Sequence, residues 1–112
     1  MAKTLNFNTI KKQYLTITFN DDKKTTVMVG TPTKAIMNEM LSLSDSLEGD
    51  GDNISQETID ELYYVCSRII SRNKTGVKID KEYLEEVFDI EDLFVFFDAY
   101  MSFVTALGNE KN

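Results

Sequence analysis

"DLFVFFDAYMSFVTAL", Asp92 to Leu107, is the most apolar stretch of an otherwise acidic, hydrophilic chain, and the way it folds decides the architecture. With residues placed about 100° apart around a helix, Leu93, Phe96, Phe97, Tyr100, Val104 and Leu107 share one central sector. Phe103 flanks that sector on one side, Met101 and Phe94 on the other. The apolar arc is about 180° wide, against the ~100° with which a surface helix docks on a core, and Val95 lies outside even this arc. Asp98 interrupts the run, leaving about 15 residues, short of the ~20 needed to cross a bilayer. The stretch therefore predicts a water-soluble helix over 90–107, with Asp89 as its N-cap and Glu91 and Asp92 in its first turn.

So wide an arc has two readings. In one, the helix is central, clasped by every other element, and all of its apolar residues are core. In the other, Leu93, Phe96, Phe97, Tyr100, Val104 and Leu107 are core, while Phe94, Val95, Met101 and Phe103 reach a surface that pairs with another chain. Aromatic residues and Met are what protein interfaces favour.

Working outward, three more helices are expected upstream. The nearest spans about 80–88, capped by Asp80, with Tyr83, Leu84, Val87 and Phe88 on its apolar face and Ile79 and Leu84 placed as a hydrophobic staple. Another, over about 55–72, is capped by Ser55 or Asn53 and carries Ile59, Leu62, Tyr63, Cys66, Ile69 and Ile70 on one stripe. Arg68, Arg72 and Lys74 gather at its carbonyl end, where cations complement the helix dipole. "GTPTKAIMNEMLSLSDSLEG" opens with Thr31 as N-cap and Pro32 at the first helical position, and Gly49 is its stop. That predicts a helix over 32–48 with Ile36, Met37, Met40, Leu41, Ser44 and Leu47 on one face. Before it, alternation resumes on either side of the polar "NDDKK", so 13–29 reads as a β-hairpin, marginal in water unless it leans on helices. The expected fold is α+β and mostly helical: one domain over 1–112, with an N-terminal β-hairpin packed on a bundle of about four helices.

Charge is unevenly spread. Residues 1–40 carry six Lys against Asp21, Asp22 and Glu39, or +3, whereas residues 41–112 carry six cations against sixteen carboxylates, or −10, giving the total of −7. That balance repels phosphate backbones and anionic lipid, so neither nucleic acid nor membrane is an expected partner. Lys3 precedes no apolar run, which predicts no secretory signal and residence in the cytoplasm, where the sequons at Asn53 and Asn73 are chance matches. The lone Cys66 agrees with a reducing compartment and falls on an apolar stripe, where a structural thiol is expected.

Catalytic chemistry is hard to assemble. With no His and one Cys, the usual general base, the Cys–His nucleophile and nearly all zinc sites are excluded. The pairs Glu85-Glu86 and Glu91-Asp92 diverge by about 100° on a helix and face no common substrate. Asp50, Asp52 and Glu61 match three calcium-loop positions, but Ile54 and Ser55 stand where a ligand and the glycine belong. "GTPTK", Gly30 to Lys34, lacks the second glycine of a phosphate loop, and Pro32 removes an amide donor. No cofactor and no metal is expected.

Taken in order, "NFNTIKKQYLTITF" (6–19), "GTPTK", "SRNKTG" (71–76) and "DIEDLFVFFDAYMSFV" (89–104) give the chain nearly full-length similarity to a known family. It resembles the tail assembly chaperones of long, non-contractile-tailed bacteriophages of Gram-positive bacteria. The resemblance implies a non-enzymatic helper, made in the host cytoplasm and absent from the mature virion, that binds the tape measure protein and assists tail tube assembly. It also implies a frameshifted longer form that recruits tail tube protein, of which this chain would be the short version, and it leaves homo-oligomerisation open. The alternatives are a structural virion component, such as a head–tail connector or tail terminator subunit, and a small regulator that dimerises through the last helix.

Overall fold

The computed structural model describes Asn6 and residues 12–50 and 54–109. Two strands, β1 (Leu15–Thr18) and β2 (Thr26–Val29), precede four helices: α1 (Lys34–Asp50), α2 (Gln56–Ser71), α3 (Lys81–Val87) and α4 (Ile90–Asn109). The fold is α+β and mostly helical, with the hairpin packed on the helices as the sequence predicts.

β1 and β2 pair antiparallel, with Leu15 opposite Val29 and Ile17 opposite Val27. Leu15, Ile17, Phe19, Val27 and Val29 join the core, while Thr16, Thr18, Thr26 and Met28 face solvent. Asp21 organises the turn: its carboxylate accepts from the Thr25 amide at 2.8 Å and hydroxyl at 2.7 Å, and from the Tyr83 hydroxyl at 2.7 Å. Lys24 closes the turn at φ 50, left-handed backbone that costs a non-glycine residue free energy. Asp21 is therefore both the staple of the turn and its tie to α3.

β2's outer edge is covered by the segment that leaves α2. The Gly30 amide donates to the Arg72 carbonyl at 2.9 Å, and the Lys74 amide to that of Met28 at 2.9 Å, with Val29 and Asn73 bridged between them. A β-carbon on Gly30 would lie 3.3 Å from that Arg72 oxygen, so the close backbone approach favours glycine there. The Asn73 side chain knots the same loop. Its Nδ2 donates to the Ile70 and Val77 carbonyls, and its Oδ1 accepts from the Val77 amide and the Thr75 hydroxyl.

α2 is the central helix. Leu62, Tyr63, Val65, Cys66, Ser67, Ile69 and Ile70 are buried on it, and it packs against α1, α3, α4 and β2. The reading that made the last helix the clasped centre is corrected here. α2 has a broader buried face because it is flanked on several sides, and α4 packs against it from one.

Helix starts follow capping chemistry. Ser55 accepts from the Thr58 amide, Asp80 from that of Tyr83, and Asp89 from that of Asp92. Asp92 returns a bond to the Asp89 amide at 3.1 Å, closing a reciprocal capping box. α1 departs from expectation. Thr33, not Thr31, caps it, accepting from the Ile36 amide at 3.3 Å, because Gly30 and Thr31 are held extended against Arg72 and the helix cannot begin earlier. Gly49 lies inside α1 and does not end it. Of the expected face, Leu41 is 49% exposed, while Leu43, outside that face, is 1% exposed. α1 packs mainly on α2, so its buried stripe is narrow and runs through Ile36, Met40 and Leu43. The Asp52 and Asn53 readings lie outside the described residues.

Candidate partner-binding surface

α4 is secured by two hydroxyls. Tyr100 donates to the Gly30 carbonyl at 2.7 Å, joining the middle of α4 to the end of β2. Tyr63 of α2 donates to the Phe88 carbonyl at 2.8 Å, at the junction from which α4 departs. Burial pushes the Tyr100 phenol well above the ordinary tyrosine range, and burial followed by the nearby Asp89 carboxylate raises that of Tyr63. Both remain protonated donors at neutral pH.

Six rings run in continuous succession beneath the hairpin: Tyr83, Phe19, Phe88, Phe96, Tyr100 and Phe103, with neighbouring centroids 5.4 to 6.2 Å apart. Tilted, edge-on and stacked ring pairs of this kind add to simple area burial. No periodicity within one element reveals this row, because it crosses β1's end, α3 and α4. The density of aromatic residues near the C-terminus is the only trace it leaves in the sequence.

Leu93, Phe96, Phe97 and Tyr100 are buried. Val104 and Leu107, expected in the core, are half-buried, and Val104 packs against the core cluster. They lie in the last turns of a 20-residue helix, about 30 Å long, which outreaches the 16-residue α2 against which it packs.

The four residues expected at a partner surface are not brought together. Phe94, Met101 and Phe103 are half-buried and pack against the core, whereas Val95 is 69% exposed. Phe103 lies nine positions after Phe94, which places them about 180° apart around the helix, with Phe97 and Tyr100 buried between them. One flat partner cannot engage both flanks fully. The Val95 side is the more coherent. Val95 and Ala99 rise beside Phe96, facing β1 across a groove of about 330 Å³ whose other wall is Leu15, Thr16, Ile17 and Thr18. Phe88 and Asp92 complete it.

A larger cavity, about 530 Å³, lies between α2 and the 78–81 segment and is lined by Arg68, Arg72, Lys78 and Lys81 around Ile36, Tyr64 and Ile79. Two of its cations have carboxylate partners: Arg68 pairs with Glu39 of α1, and Lys81 lies 3.5 Å from Glu85. Cys66 is sealed, and burial pushes its thiol far above the ordinary range. Among the described residues no group of three or more His, Cys, Asp or Glu could hold a metal, and no helix is long and apolar enough to cross a membrane.

No protein-family model matches the chain, and no curated protein or solved structure does either.

Proposed function

We propose that this protein is a non-enzymatic phage tail assembly chaperone that binds the tape measure protein through the Val95 side of α4. The reading starts from the family resemblance of the sequence. The observation that carries it further is Val95, a β-branched apolar residue 69% exposed in the middle of the most apolar helix, beside a groove with apolar residues on both walls. A tape measure protein presents long apolar helical surface before the tube encloses it, and apolar helices are recognised by apolar grooves and faces. The surplus of carboxylates in residues 41–112 would keep such a complex in solution. In this reading the chaperone works in the host cytoplasm and is left out of the finished particle, and a frameshifted longer form recruits tail tube protein.

The test is co-expression with the tape measure protein encoded beside it. Val95→Asp should lower recovery of the complex about tenfold, the effect of a desolvated interface residue, while the variant's own melting temperature stays within a few degrees of the parent. Unchanged recovery rejects the surface. Stoichiometric presence of the protein in purified particles rejects the chaperone role.

A further inference from the structure

The cavity of about 530 Å³ beside α2 shares no lining residue with the Val95 groove. Its shape follows from α2. Tyr64, Arg68 and Arg72 recur at intervals of four, so they form one ridge about 12 Å long, with Arg72 at the C-cap. Ser67 and Ser71 form the next row, and because they are small the helix surface sinks there into a cleft. The segment 78–81 makes the facing wall and brings Lys78 and Lys81. Ile36 and Ile79, both buried, and the exposed Tyr64 ring give the cleft its apolar surface.

Few of the polar groups here are committed to a strong partner. The serines are: the Ser67 hydroxyl donates to the Tyr64 carbonyl at 2.9 Å, and that of Ser71 donates to the Ile79 carbonyl at 2.9 Å and accepts from its amide at 3.0 Å. Asp80, the one carboxylate among the lining residues described, caps α3 through the Tyr83 amide. Lys78 is exposed, and among the described residues no carboxylate lies within 4.0 Å of its amine. Arg72 gives one long bond, from Nε to the Thr31 carbonyl at 3.4 Å, and its guanidinium likewise has no carboxylate partner among the described residues. Arg68 is paired with Glu39, but both side chains remain about a third exposed, and pairs so open to water hold weakly.

We propose that this cleft binds a short, extended acidic segment of a partner protein, and that Glu39 occupies Arg68 until that segment displaces it. Carboxylates of the segment meet Arg68, Arg72 and Lys78, and an aliphatic side chain between them rests on Ile36, Ile79 and Tyr64. Length and chemistry both select this occupant. A ridge of about 12 Å matches about four residues of extended chain. Guanidinium forks take carboxylates in paired parallel bonds, and here two of them stand one helical turn apart along the cleft instead of converging on one point, as a single small anion would need. A nucleic acid would run on past the cleft into Glu39, Asp60 and Glu85, on a chain whose net charge is −7. The inference uses no residue of α4 and stands apart from the chaperone reading.

Fluorescence anisotropy tests this, with the full chain titrated into a labelled, end-blocked peptide Asp-Glu-Leu-Glu-Asp in about 0.1 M salt. Binding should saturate. Arg72→Glu and Lys78→Glu should each weaken it about tenfold by setting like charges together. Arg72 lies at the contact with Gly30, so Lys78→Glu, whose exposed side chain pairs with no carboxylate among the described residues, is the variant whose melting temperature should match the parent. Glu39→Gln should bind the peptide about threefold more tightly, because Arg68 is released. Glu48→Gln removes the same charge about 14 Å further along α1, beyond the screening length of about 10 Å, and should change nothing. The proposal is overturned by a parent that shows no saturable binding, by indifference to Lys78→Glu, or by Glu39→Gln binding no more tightly than the parent. Equal affinity for Asp-Glu-Ser-Glu-Asp overturns it as well, as does tighter binding of a single-stranded oligonucleotide, which would assign the cleft to phosphate.

Discussion

Asp21 is one carboxylate with three donors around it, and the two Thr25 bonds together with the Tyr83 hydroxyl hold its pKa down to about 2. A folded-state pKa depressed below the unfolded value of about 3.9 contributes stability that is present above that value and lost as pH falls toward 2. Stability of the parent should therefore fall through that acid window in proportion to protonation of this group. Asp21→Asn should lower the melting temperature at neutral pH and flatten the slope between pH about 4 and 2, followed by circular dichroism. Asn73 works on the other side of the hairpin, and Asn73→Ala, which removes four side-chain bonds at once, should cost about 2 kcal/mol in urea unfolding. Cys66 should resist alkylation in the native state and react only at the rate of unfolding, since its thiol is both covered and kept protonated.

At the scale of elements, α2 and α4 divide roles that the sequence invites one to assign the other way. α4 is the greasier helix, yet α2 is the one surrounded. Hydrophobicity per residue reports how much apolar surface a helix carries, not how many neighbours it has. Phe97→Ala should cost about 3–5 kcal/mol, because it empties buried volume. Val95→Asp should change stability by no more than about 0.5 kcal/mol in the same assay, because the side chain is already in water. If the two substitutions cost the same, the placement of α4 is wrong. The caps at Ser55, Asp80 and Asp89 and the hairpin alternation were readable because they depend on residues within four positions of one another. Thr33's role was not, since Thr31 carries the same capping side chain, and the choice turns on Thr31 preceding Pro32 and on the bonds that tie Gly30 and Thr31 to Arg72. Leu41 and Leu43 were exchanged for a similar reason: periodicity gives a face, and only the neighbour decides how wide it is.

Across the whole molecule, the candidate surface was legible only in part. Val95's position outside the apolar arc is visible by counting residues, and the structure leaves it exposed. The groove beside it was not visible, because it depends on α4 lying near β1, and no local pattern encodes that adjacency. The aromatic row from Tyr83 to Phe103 is hidden for the same reason. The excess of carboxylates after residue 40 was plain from the start. It should make association with a basic partner segment weaken as salt is raised, while contacts made through Val95 should be insensitive; a salt titration of the proposed complex with a tape measure protein, in parent and Val95→Asp, separates the two.

Since Asn73 and its neighbours already occupy the outer flank of β2, no further strand can add there while the end of α2 keeps its place. A two-stranded ribbon covered on that side cannot stack through both flanks. Runaway fibre growth would first require the end of α2 to release its grip.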